Sequence, residues 1–512
     1  MENPLNKQCN MHQIAVISMI SIVCKLIGFI RELVMAHYYG TSLISDVYVM
    51  AITIPGIVFG GIAALTVGYT PIYKNIEARK GCEEALLFTN KCLVYVFLLC
   101  VTAILFTYKF PGFIVDIVAP GYGNESRILL IKFLKSSIFH LLLSNMTLLF
   151  TSYLNCKDSF IPAALSTLLL SSIQIFAIVI SINKDPLLII YGHNLSYLLQ
   201  LIVLFFCSLK KNYRFKPAFR FDNNTMTLFH MVIPVFFSQM TLQINSYVDK
   251  AFSSVLGEGK LSGLTYAHLI INLVDAILVS GIITVYYPNL SKWIATGQSE
   301  KVKENIKTIM TVLLIFYVPI VIGLLTLSPE IVNLVFATGN FNKVSVRYTA
   351  GPLAMYSLGL IPLAVTGILN RLFYANRNTK TTLWASVVSL CINIIMNFIL
   401  IKRFDSIGLA FSSSFAAIAI VPIYIIKTKK EGYAFWNFKF MITGFKIFIS
   451  GILMLAAIAV MKVLWLPYSE KIYTIFVIVM AGSIYFILVY LLKVDEVRFL
   501  FNSVMSQLKK NK

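Results

Sequence analysis

Apolar runs long enough to cross a bilayer recur fourteen times along this chain. A membrane-spanning helix needs about 20 such residues. The runs fall near 14–37, 47–72, 86–108, 128–153, 160–182, 187–208, 228–255, 262–288, 306–328, 349–373, 381–402, 407–427, 442–463 and 472–492. In lipid the backbone must satisfy its own hydrogen bonds, so each run is expected to be helical. The first run is too long for a signal-peptide core, and no small-residue cleavage site follows it, so it is read as a retained helix. Only 13% of the 512 residues are charged, against about 25% in a soluble protein. The predicted fold class is therefore an all-α polytopic membrane protein of about 14 transmembrane helices.

Basic residues set the orientation. The loops after even-numbered spans hold twenty Lys and Arg, those after odd-numbered spans ten. Lys and Arg collect on the cytoplasmic side, which puts both termini in the cytoplasm. The net charge of +21 is accounted for by these loops, and nucleic acid is not an expected partner. The most basic loop, Leu209–Asn224, reads LKKNYRFKPAFRFDNN and falls between spans 6 and 7.

A shift of 217 residues aligns Glu32 with Asp249, Gly40 with Gly257 and Pro71 with Pro288. The sequence thus predicts two pseudo-symmetric six-helix lobes, 1–208 and 228–430, joined by a cytoplasmic linker at 209–227. Helices 13 and 14 with a tail occupy 431–512. Parallel repeats with a substrate site between two bundles are a known transporter plan.

Span 1 carries the least expected residues: Lys25, Arg31 and Glu32. A charge at mid-membrane costs roughly 2.5–3.5 kcal/mol on insertion scales. At about 100° per residue, Lys25, Gly28, Arg31 and Glu32 share an arc of about 120°. Lys25 reads equally as a snorkelling side chain or a functional cation. Adjacent residues on a helix do not face one another, so Glu32 is not expected to partner Arg31, and Arg31 is read as functional. Its planar fork suits a phosphate.

Span 7 offers Asn245, Asp249 and Lys250, and span 11 offers Asn393 and Asn397, four residues apart. A carboxylate with amide oxygens suits a hard cation. Interhelical hydrogen bonding is the competing reading, and it is preferred for the asparagines. Asp275 is read as a partner for a Lys or a coupling ion. Asp46 is read as a helix N-terminal acid favoured by the dipole. His140 and His230 are read as structural, and Gln174 and Asn145 as packing residues. The eight cysteines show no metal spacing, so neither a metal nor a tightly bound cofactor is expected. There is no nucleotide-binding loop, HExxH or GxSxG motif, and no loop large enough for an ATPase module or a catalytic domain. Transport, not enzymatic chemistry, is the expected activity.

Several segments, taken in order, resemble one family. They are KLIGFIRELVMAHYYGTSLISDVYVMAITIP (Lys25–Pro55), APGY (Ala119–Tyr122), FIPAA (Phe160–Ala164), LTYAHLIINLVDAILVSGIITVYYPNLSK (Leu264–Lys292), FATGNF (Phe336–Phe341) and LFYANRNTKTT (Leu372–Thr382). The chain is similar to the MurJ/MviN family, the lipid II flippases of the MOP exporter superfamily. The resemblance implies a two-lobed transporter with a central cationic cavity in the bacterial cytoplasmic membrane. It implies movement of an undecaprenyl-pyrophosphate-linked sugar, lipid II above all, from the inner to the outer leaflet by alternating access. The helix 1 Arg of the family carries over to Arg31, its basic neighbour to Lys25, its acid to Glu32 and its helix 2 Asp to Asp46. A sodium site of some members maps to Asp249, Asn393 and Asn397, so coupling to Na⁺ or the membrane potential is implied. Phe59 and Gly60 stand where the family has a basic pair, and His268 and Leu269 where it has Asp-Arg. Lys250 or His268 is the expected compensating cation. The alternatives are another polyprenyl-linked glycan, of teichoic acid, capsule or O-antigen type, and an ion-coupled small-molecule exporter.

Overall fold

A computed structural model describes residues 4–216, 226, 247–376, 378–464, 470–495 and 497. The described residues form helices and no strands. In order these are α1 Pro4–Tyr39, α2 Leu43–Phe59, α3 Ala64–Lys80, α4 Cys82–Lys109, α5 Pro111–Val118, α6 Asn124–Ser137, α7 Phe139–Cys156, α8 Ile161–Ser181 and α9 Leu187–Lys210. They continue as α10 Lys260–Ala295, α11 Ser299–Thr326, α12 Ser328–Phe336, α13 Lys343–Ala375, α14 Thr379–Lys430, α15 Phe438–Val463 and α16 Glu470–Leu491. Among the described residues, ten helical stretches are long and apolar enough to span a membrane.

Several expected spans differ from what forms. The run 47–72 is interrupted: α2 ends at Phe59 and a 3₁₀ turn, Gly60–Ala63, precedes α3. Paired Gly60 and Gly61 explain the break, because glycine is the weakest helix former after proline. The run 128–153 is two abutting helices, α6 and α7, that meet at Ile138. Most of the run 228–255 lies outside the described residues, which resume with a helical segment at 247–253. Spans 11 and 12 share the single long element α14, which reverses at Asp405, where φ is +58° and ψ −137°. The Asp405 carboxylate accepts the Ser406 N–H at 2.6 Å. Gly408 lies against the Leu400 backbone, and Asn393 donates to Ser413. Both pairings straddle Asp405, so α14 is a helical hairpin.

Packing divides the chain into two compact units. One is Met1–Ser262 with Thr338–Asn342; the other is Gly263–Ala337 with Lys343–Lys512. The residue range of the first unit includes the basic loop expected as a linker.

In the first unit α8 packs against both α1 and α9. Gly40, at φ +53°, turns the chain out of α1, a conformation that costs glycine no Cβ clash. The Ser42 hydroxyl then caps α2. The segment Thr338–Asn342 satisfies orphan carbonyls at the end of α1. The Asn340 N–H and side-chain amide donate to the His37 and Tyr38 carbonyls at 2.7 and 2.6 Å. One core joins α3, α4 and α7 around Tyr69, Phe88, Phe150 and Tyr153; a second gathers Val47–Ile54 with Val115, Phe133 and Ile190. In the second unit α15 and α16 pack Met454, Val477 and Tyr485 with Ile315 and Val318 of α11. Large apolar side chains also point outward from both units: Phe176 is 67% exposed and Phe398 64%. Such faces are compatible with lipid as the surrounding solvent.

Candidate functional site

Arg31 lies within α1 on the face toward α8, with a quarter of its side chain exposed. Its Nη1 donates to Gln174 Oε1 on α8 at 2.6 Å. Its Nε donates to Glu32 Oε1 at 3.1 Å, and Nη2 pairs with the same oxygen. This corrects the expectation that Glu32 does not partner Arg31. Helical Cβ atoms of neighbours diverge by about 100°, but the long arginine side chain turns its guanidinium back across that angle. Three of the five guanidinium N–H groups are thereby engaged.

The network continues inward. Gln174 is 2% exposed. Its Nε2 meets His193 Nδ1 and Ser196 Oγ on α9, both at 3.0 Å. Because Arg31 holds Oε1, the amide must present its donor to His193. His193 Nδ1 is then an acceptor, which makes that ring neutral with its proton on Nε2. The His193 ring packs against His140 at 5.2 Å, Tyr197 at 5.2 Å and Tyr48 at 6.3 Å between centroids. His140 Nδ1 meets the Ser137 carbonyl at 3.1 Å, so it donates. His140 is thus part of a ring cluster with His193 and Tyr197, in keeping with a structural role. His230 lies outside the described residues. Farther along the same two helices Gln200 donates to Ser166 at 3.1 Å. The sequence reading does not single out Gln174, His193 and Ser196 as partners in the Arg31 network. The legible signal was a polar stripe on α9, with His193, Ser196, Tyr197 and Gln200 at helical spacing.

The remaining expected residues are dispersed. Lys25 is exposed, roughly 9 Å along the α1 axis from Arg31. Lys250 is half-buried and donates through Nζ to Thr53 Oγ1 at 2.7 Å. Asp46 is 2% exposed. Its two oxygens accept the Gly259 and Ser262 N–H groups at 2.6 and 2.7 Å. Asp46 therefore caps the start of α10, satisfying donors that a helix cannot satisfy internally. Asp249 is half-buried in the first unit. Asn393 and Asn397 belong to the second, where Asn397 donates to Asn393 Oδ1 at 3.1 Å. Asn245 lies outside the described residues. Asp275 accepts from the Tyr317 hydroxyl of α11 at 2.9 Å. Among the described residues no three His, Cys, Asp or Glu side chains converge as a metal site.

Outside the spans, one ion pair shows ordinary aqueous electrostatics. Lys157 Nζ bonds Glu77 at 2.6 Å. Burial pushes the Glu77 carboxyl up, but the Lys157 hydrogen bond and charge outweigh it and hold the group below its usual value.

The spans and the arginine-centred network define a multi-pass helical membrane protein with a polar path inside one bundle. The chain belongs to the lipid II flippase MurJ family, whose sequence profile, described as "Lipid II flippase MurJ", matches residues 35–483. A Rickettsia prowazekii (strain Madrid E) protein named "Probable lipid II flippase MurJ" is 27% identical over 508 residues, spanning 94% of this chain and 97% of the relative. A Thermotoga maritima relative of the same name is 24% identical over 474 residues, spanning 92% and 94%. Among solved structures, a "Lipid II flippase MurJ, inward closed conformation" matches with TM-score 0.79 at 22% identity, covering 92% of this chain and 98% of that one. An inward-facing multidrug resistance MATE family transporter of the MOP superfamily matches with TM-score 0.63 at 14% identity, covering 80% and 98%. The two structural likenesses establish a shared fold. Arg31 lies upstream of the segment matched by the family profile.

Proposed function

We propose that this chain is a flippase that moves undecaprenyl-diphosphate-linked lipid II from the inner to the outer leaflet of the bacterial cytoplasmic membrane. Membership of the MurJ family across residues 35–483 carries this reading. Relatives named for the same activity, matched over nearly their whole length, support it.

The site chemistry is consistent with a diphosphate cargo. Arg31 is held by Glu32 and Gln174 with guanidinium N–H groups left over. A positioned arginine fork is suited to phosphate oxygens. Lys25 and Lys250 supply further positive charge in the same unit, and Glu32 fixes the arginine. Asp46, mapped by the family resemblance to the same site, holds the Gly259 and Ser262 backbone. The full architecture proposed is fourteen spans in two six-helix lobes, 1–208 and 228–430, with helices 13 and 14 appended and both termini cytoplasmic. Alternating access is proposed to draw on the membrane potential or a Na⁺ gradient, with Asp249 of the first unit as a cation ligand.

The test is replacement. In bacteria depleted of their own lipid II flippase, the full chain is expected to restore growth and to clear lipid II from the inner leaflet. Failure to do either, with the protein present in the membrane, would contradict the proposal.

A further inference from the structure

The first unit contains a second built feature, away from Arg31. Phe97 and Leu98 of α4, Phe150 of α7 and Phe205 and Phe206 of α9 line a cleft of about 900 Å³. Its lining is wholly apolar. Phe215, 57% exposed, closes one side from the loop beyond α9. The volume lies within the range of about 300–1,000 Å³ typical of ligand sites.

That loop is held in place by hydrogen bonds. Tyr213 is 2% exposed and donates to Asn90 Oδ1 at 2.7 Å. Asn90 Nδ2 donates to the Arg214 carbonyl at 3.0 Å. Tyr153 donates to the Lys211 carbonyl at 2.9 Å. The rim is therefore positioned along with the cleft. Lys210 follows Phe206 by one helical turn, and Arg214 and Lys216 flank Phe215. These three and Lys211 are exposed, and none makes an ion pair with a described residue. Of the described acids at this end of the bundle, Glu77, Glu83, Glu84 and Asp158, Glu77 is already engaged by Lys157 and Lys74.

We infer that this cleft binds one anionic phospholipid, with an acyl chain along Phe97, Phe150 and Phe206 and its phosphate against Lys210, Lys211, Arg214 and Lys216. The occupant follows from complementarity. The apolar volume selects a hydrocarbon chain, and the cluster of exposed Lys and Arg beside it, unpaired with any described acid, selects a negative headgroup. A lipid-facing apolar surface alone would recruit lipid of any headgroup. Four cations at the mouth of a defined cleft would not.

The test uses the full chain purified from a membrane of known phosphatidylglycerol and phosphatidylethanolamine content, with retained lipid measured by native mass spectrometry. Phosphatidylglycerol should be enriched at least fivefold over its bulk ratio. Neutralising the rim (K210Q, K211Q, R214Q and K216Q together) should return retention to the bulk ratio. Leu98→Trp, which fills the cleft, should remove the retained lipid. Phe215→Ala should at least halve the enrichment, and this exposed position leaves the core of the bundle intact. Equal retention of both phospholipids would overturn the inference, as would enrichment that survives rim neutralisation. Retention of a polyprenyl diphosphate in place of a phospholipid would overturn it too.

Discussion

Two polar groupings sit inside the spans and differ in reach. Asn393, Asn397 and Ser413 bond one another within a single helical hairpin, across no more than 20 residues. Arg31, Gln174, His193 and Ser196 join three helices, and the Arg31–Gln174 bond alone crosses 143 residues. The first grouping bonds within one hairpin and holds α14 to its own return arm. The second has a direction: arginine donates to amide oxygen, and amide nitrogen donates to imidazole. It also centres on a cation with donors to spare. Helix-to-helix amide bonds in a membrane are worth about 0.6 kcal/mol on average. A charge-assisted bond is worth about 1.5–3 kcal/mol. The contrast separates packing glue from the proposed site.

Arg31→Ala should give the largest effect. It removes the proposed phosphate contact and leaves Glu32 without its partner, so transport should fall at least tenfold while membrane insertion persists. Arg31→Lys should recover only part, because an ammonium cannot reproduce the fork. Equal transport by the lysine variant would erase the distinction between the two groupings. Growth complementation and lipid II leaflet assays read both.

Gln174→Leu comes next. It strands His193 Nδ1 and the Arg31 donor, at about 1–3 kcal/mol for each unsatisfied buried group, and activity should drop without pH dependence. Gln174→Glu differs in kind. An ionised carboxylate cannot donate to His193, whereas a protonated one can. Its activity should therefore rise toward acid pH, and a flat pH profile would show that the amide donor does not matter.

Asp46→Ala should cost up to about 2 kcal/mol in thermal stability, the upper range for a lost helix cap. Asp46→Asn should cost less, because one acceptor remains. An Asp46→Ala protein that is fully stable yet unable to transport would reassign Asp46 to the cargo site. Asn397→Leu should be mildest, below about 1 kcal/mol. A large transport defect there, with stability unchanged, would promote the hairpin from glue to cation site.

The spans were legible because each is one contiguous apolar run, and lipid permits few structures for such a run. Their interruptions were not. Gly60–Gly61 breaks a helix that hydropathy alone reads as continuous. Arg31 was legible as a charge in an apolar context. Its partner Glu32 was excluded by Cβ direction, which a flexible guanidinium overrides. Gln174 and His193 carry no formal charge in the network, so they stood out little among the polar residues of their helices. The job of Asp46 depends on backbone donors at Gly259 and Ser262, more than 200 residues away, which no local pattern reveals.

The proposed flippase activity and the grip of Arg31 on the diphosphate can be tested together. Purified chain is reconstituted in vesicles loaded with lipid II on one leaflet. Lipid II is expected to appear on the opposite leaflet only when the chain is present. That movement should be competed by a soluble diphosphate headgroup and lost in Arg31→Ala. No movement by the folded, reconstituted chain would contradict the flippase assignment. Undiminished movement by Arg31→Ala would contradict the site.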